Sequence, residues 1–268
     1  MLIPIHSLYY TTAIMSSSSS IPGISEKLKP LYTPSLTKPE SNSTQAIIDT
    51  LHMIPNIEGG LFVEIDRNPL IIPNPFLLFD PNNPHNTTLP SSSGIEVLPS
   101  VSAAVTTIAA TTTPTTNATA PLPQSGNNNI RNASTSIFYL LTPRNPQGHF
   151  HRNKGRTVHT VIEGRGRYVL IHADEDNLAG GVKRMETFIV GKDVAAGEKA
   201  VWVVEGGKYK ASFLLGEGGD AEGDRLLISE TVIPGFEYSD HDFLSLEKFK
   251  TLVTEEQAKE LEWLVRRE

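Results

Sequence analysis

The chain has no cysteine among its 268 residues, which removes disulfides, zinc–thiolate centres and cysteine nucleophiles together. Apolar residues supply only 38% of the sequence. The deficit lies in Ser-, Thr-, Asn- and Pro-rich text of the first half, so the folded part is expected to be shorter than the chain. No run approaches the ~20 continuous apolar residues that span a bilayer. A basic excess is also lacking: the formal net charge is -7, which argues against a general nucleic-acid binder. The opening residues have no basic n-region and are interrupted by Pro4, His6 and Ser7, so they make a poor secretory signal. Sequons at Asn42, Asn86, Asn117 and Asn132 are what such polar tracts generate by chance. Serine-hydrolase, P-loop and dinucleotide-binding signatures are missing, and the G-x-G at Gly164 and Gly166 opens no helix. A cytoplasmic, acidic protein that contacts neither nucleic acid nor membrane is the expectation.

What is present points to one β-rich domain. Residues 1–43, with the serine run Ser16 to Ser20 and the prolines Pro22, Pro30, Pro34 and Pro39 after it, are expected to be a disordered leader. From Thr44 to Met53, Ile47, Ile48 and Leu51 share a helical face with Thr44 as N-cap. Gly59 and Gly60 then turn the chain into a strand over Leu61 to Asp66. Residues 68–129 read as a low-complexity disordered insertion, in which the apolar run LIIPNPFLLF could still dock as an extended arm. The folded domain is therefore placed at 44–268. Further strands are expected over Met185 to Val190, Ala200 to Glu205, Tyr209 to Leu215 and Leu226 to Ile233, with Gly-rich turns between them. At the end, Thr254 and Gln257 form a capping box, and Ala258, Leu261, Leu264 and Val265 give a short helix its apolar stripe.

The stretch from Ser134 to His172 carries the histidines His149, His151 and His159. Side chains two apart on a strand share a face, so His149 and His151 are expected to point the same way, with His159 joining them from the next strand. Arg152, Lys154, Arg156, Arg165 and Arg167 lie around the same turns. Gathered at one mouth they would grip an anion, and dispersed they would guard a strand edge.

Four segments, IEGGLFVEIDR at Glu58, STSIFYLL followed by GHFHRN at His151, GKDVAAGEKAVWVVEGGKY from Gly191 and ETVIPGFEYSDHDF from Glu230, resemble the cupin superfamily, in particular its fifth family, a domain of unknown function. The resemblance implies an all-β fold, a cupin jelly-roll β-barrel of the RmlC-like type with short flanking helices, a homodimer, and a pocket in the barrel mouth. It names no reaction. The general cupin metal pattern wants H-x-H, a glutamate four or five residues later and a further histidine. Here His149 and His151 are followed by Gly155, Arg156 and Thr157, and the later histidine position holds Lys210. No metal cofactor is therefore expected, His149, His151 and His159 being weak candidate ligands.

The function expected from this is binding of a small molecule, an anionic one in view of the arginines, by Tyr139, His149, His151, Arg152, His159, Trp202, Tyr209 and Lys210. Two alternatives stand beside it. A metal-independent isomerase similar to sugar-nucleotide epimerases would use His151 or His159 as base and Tyr139 or Tyr209 as acid, with Lys210 steadying an enolate. A metal-dependent oxygenase is disfavoured by the missing ligands.

Overall fold

Two antiparallel sheets arise where the expected strands lie. The computed structural model describes residues 18–35, 37–77, 122–216 and 224–267. Its elements are α1 (Asn42–Leu51), β1 (Ile54–Pro55), β2 (Leu61–Arg67), β3 (Ile71–Pro73), β4 (Ile130–Asn132), β5 (Thr135–Leu141), β6 (Gln147–Asn153), β7 (Arg156–Gly164), β8 (Gly166–Ile171), β9 (Met185–Val190), β10 (Val201–Val204), β11 (Tyr209–Leu214), β12 (Leu226–Ile233), β13 (His241–Phe243), α2 (Leu246–Leu252) and α3 (Glu255–Leu261). One sheet runs β1-β2-β5-β12-β7-β10 and the other β13-β6-β11-β8-β9. They face each other as a jelly roll whose hydrogen-bonded ladders do not close into one barrel. The all-β architecture with short flanking helices is as expected.

Three apolar layers hold it together. Between the sheets, Tyr139, Val161 and Ile228 of the first pack with Tyr168, Leu170 and Leu214 of the second. The outer face of the second sheet, with Phe150, Val169 and Phe213, is covered by Phe249, Leu252, Leu261 and Leu264 from the C-terminal helical segment. Phe150 and Phe249 stack with ring centroids 5.6 Å apart. On the far side, α1 lays Ile47, Ile48 and Leu51 over Leu61, Leu140 and Leu227. This double covering explains why β11 is buried at every position rather than at alternate ones.

The leader is corrected in part. From Ser18 the chain is an arm docked on α3: Ile21 and Leu28 are buried in the outer layer. The Glu260 carboxylate accepts from the Ser20 and Leu28 amides and the Ser19 and Ser20 hydroxyls at 2.7–2.8 Å. Averaged composition hides two apolar anchors and one well-placed acceptor, and these suffice to dock a polar segment. Residues 1–17 lie outside the described residues. Helix α1 also starts earlier than Thr44, because the Ser41 hydroxyl caps the Thr44 amide at 3.2 Å. The ends of the 68–129 segment are built into the domain through the β3–β4 ribbon, in which Ile71 pairs with Asn132. Its body, 78–121, lies outside the described residues. The C-terminal capping box between Thr254 and Gln257 is formed, with Val253 and Ala258 buried on either side.

Candidate functional site

Alternation along β7 sends Thr157, His159 and Val161 inward, and β12 sets Glu230 directly across from His159. From the facing sheet, β11 contributes Lys210. The Lys210 Nζ donates to Glu230 Oε2 at 2.9 Å and to His159 Nε2 at 3.1 Å. Since an ammonium only donates, His159 accepts through Nε2 and is neutral there. Its imidazole lies flat on Trp202, with centroids 4.8 Å apart, and edge-on to Tyr168. Burial lowers the His159 pKa, helped by the Lys210 charge. Burial would raise that of Glu230, but Lys210 and then His159 hold it far below the usual carboxylate range. All three side chains are under 10% exposed.

Tyr139 and Tyr168 complete this interior. Burial pushes both phenols well up, the carboxylates of Glu58 and Glu230 adding to the shift, while the Ser212 hydroxyl bonds them. Both phenols stay protonated across the physiological range and can serve as hydrogen-bond donors.

A second group sits at the end of the sandwich. Glu58 stands in the Gly59–Gly60 turn, which presses on β6 so closely that a Cβ on Gly59 (φ +101°) would lie 2.2 Å from the Gln147 carbonyl. Its carboxylate lies 3.3 Å from His151 Nε2 and 2.9 Å from His241 Nε2. The two imidazoles stack with centroids 5.4 Å apart. The His151 Nδ1 is 2.8 Å from the His149 carbonyl, which can only accept, so the ring carries its hydrogen on Nδ1. Burial lowers the His151 pKa to about 4 against the opposing pull of Glu58, so the His151–Glu58 contact is not an ion pair near neutrality. Burial would raise the Glu58 pKa, but its charged surroundings, Lys210 among them, leave it lowered overall.

The structure divides the expected site residues. Tyr139, His151, His159, Trp202 and Lys210 converge on the interior and its end. His149 does not point with His151: the β6–β11 register shifts between Lys210, opposite His151, and Ser212, opposite Gly148. A bulge adds one residue and breaks the two-residue alternation. The His149 ring instead contacts the Glu58 carbonyl at 3.0 Å and Gln147 at 3.2 Å. Tyr209 belongs to the outer layer, and Arg152 stacks on it while pairing with Asp242 at 2.7 Å. The other basic residues disperse as well: Lys154 faces Asp240, Arg156 pairs with Glu205, Arg165 with Glu198, and Arg167 contacts Thr187. They form no common anion mouth. An open groove of about 610 Å³ lined by Arg165, Lys192, Asp193 and Glu198 lies away from these buried groups.

The usual cupin metal set does not fit these positions. His149 is turned away, and Lys210 occupies the later ligand place with its ammonium bonded to Glu230. Glu58 and His241, by contrast, were not anticipated as site residues. Both lie inside segments that carry the family resemblance, Glu58 in the turn before β2 and His241 at the start of β13, neither of them on the H-x-H strand.

A jelly roll with polar groups gathered between its sheets is a cupin architecture, and the sequence comparison is specific. Residues 45–244 match the family described as Cupin superfamily (DUF985), and the chain belongs to that family. It is 36% identical over 226 residues to the uncharacterized protein YML079W of Saccharomyces cerevisiae, covering 83% of this chain and 86% of the yeast protein. Among solved structures, a hypothetical protein from Leishmania major has a TM-score of 0.54 at 20% identity, over 84% of this chain and 98% of that one. Protein SO0799 from Shewanella oneidensis has a TM-score of 0.51 at 19% identity, over 86% and 100%. At such identities the structural likeness shows the fold alone. Among the described residues no helix is long and apolar enough to cross a membrane.

Proposed function

We propose that the protein binds a small polar molecule at the end of the sandwich interior, between Tyr139, His151, Lys210 and Glu58. The observation that carries this is the burial of Lys210, Glu230 and His159 as one hydrogen-bonded group, at 3%, 7% and 0% exposure. An apolar core would be at least as stable there, so the group is better explained by recognition than by stability. Dispersal of the arginines onto separate acids removes the main reason for an anionic ligand, although carboxylates and phosphates belong in the screen. The test is a thermal-shift screen of carboxylates, sugar nucleotides and phosphates. A ligand at one hundred times its Kd should stabilise the fold by ~2.7 kcal/mol, and the shift should vanish in Tyr139→Phe. Uniformly absent shifts across the screen, or shifts unchanged in that variant, would remove the reading.

Isomerase chemistry is the second reading, favoured by the presence of His151 and Tyr139 in one interior. A phenol kept protonated by a strongly raised pKa can donate to a ligand oxygen but gives up its proton slowly, which favours the binding reading over turnover. Self-association, expected from the resemblance, also remains a proposal. It suits the outer face of the first sheet beside its edge strand β10, where Ile162, Val201 and Val203 stand exposed.

A further inference from the structure

We propose that Glu58, His151 and His241 form a binding site for a divalent first-row transition metal, a set that keeps only His151 of the H-x-H pair. One ligand atom from each lies within 4.8 Å of the others. The Nε2 atoms of His151 and His241 are buried, and neither has a hydrogen-bond partner. His241 Nε2 is 2.9 Å from Glu58 Oε1. With its hydrogen on Nδ1, His151 turns a bare lone pair towards the Glu58 carboxylate at 3.3 Å. Two electron-rich atoms at that distance repel unless a cation lies between them.

Metal bonds of about 2.0–2.2 Å to nitrogen and oxygen place neighbouring ligand atoms roughly 3.0–3.4 Å apart, close to both carboxylate–imidazole separations. The second shell is also in place. The His149 carbonyl fixes the His151 tautomer, as an outer partner of a metal-bound imidazole does. The His149 amide donates to the Glu58 carbonyl at 2.6 Å and holds the loop against β6. Phe236 and Phe243 flank the His241 ring edge-on. The positive charge of Lys210 is balanced by its pairing with Glu230. Two imidazoles and one carboxylate suit zinc, iron, cobalt, nickel or manganese over calcium or magnesium, and three protein ligands leave positions for water or a bound molecule.

The test uses the full chain without an affinity tag, stripped with a chelator and titrated with Co²⁺ while visible absorption and bound metal are recorded. The expected result is one equivalent of Co²⁺ with ligand-field bands. Glu58→Gln and His241→Ala should each weaken binding by at least ~100-fold, beyond the loss typical of an outer-shell partner, while His52→Asn, at an exposed histidine outside the site, keeps it. Circular dichroism confirms the fold of each variant, and His241→Gln replaces the alanine variant should that one unfold. Absence of stoichiometric binding in the native protein, or binding that survives in Glu58→Gln and in the His241 variant, overturns the proposal. Both readouts are independent of the small-molecule screen.

Discussion

The Lys210 ammonium lies between Glu230, 2.9 Å away, and His159, 3.1 Å away, and so joins the two facing sheets through one buried cation. Lys210 comes from β11 and its partners from β12 and β7, so the contact spans the sandwich from one sheet to the other. Removing only the cation leaves a buried carboxylate without compensation. Lys210→Met should therefore cost about 3–5 kcal/mol, measured by urea unfolding. The double variant Lys210→Met with Glu230→Leu should recover most of this loss. A single-variant cost below ~1 kcal/mol would show that the group is hydrated rather than buried.

The N-terminal arm should respond to acid. Burial would raise the Glu260 pKa, but the Ser20 and Leu28 amides and the serine hydroxyls hold it below the ordinary value. A carboxylate lowered in the folded state contributes stability above its unfolded pKa, near 4.3. That contribution is lost as the pH falls through the folded value. Hydrogen exchange should then show the Ser20 and Leu28 amides losing protection below about pH 4, ahead of the β11 amides. Glu260→Gln should free the arm at neutral pH. Equal protection of arm and sheet throughout the acid range would refute this.

If the exposed face beside β10 joins two copies, Val203→Asp should shift the protein from dimer to monomer in light scattering without unfolding it. A monomeric native protein at every concentration would count against this surface.

Much of this architecture is legible in the residues. The strand at Leu226–Ile233, the strand at Met185–Val190 and the helix start at Thr254 fall where pattern and capping place them, because each depends on local sequence. His159 and Lys210 are legible as interior groups for the same reason. The bulge at His149 and Phe150 is not: two histidines at strand spacing look alike whether or not the partner strand skips a residue, and the skip appears only in the β6–β11 register. The pairing of Glu58 with His241 is hidden for another reason. Glu58 lies in a turn and His241 opens the three-residue β13, far apart in the chain, and the topology, not any motif spacing, brings β13 beside β6. The arm at Ile21 was obscured by its polar neighbours, since docking rests on a few anchors and not on mean composition.

The most direct measurement of the central claim, that this interior offers an open lone pair for recognition, is a long-range ¹H–¹⁵N spectrum of the imidazole side chains at neutral pH. The account predicts His151 neutral, with hydrogen on Nδ1 and a bare Nε2 whose resonance moves when a ligand or metal is added. A doubly protonated His151 at that pH would contradict it, since the Glu58–His151 contact would then be a closed ion pair with nothing left to bind.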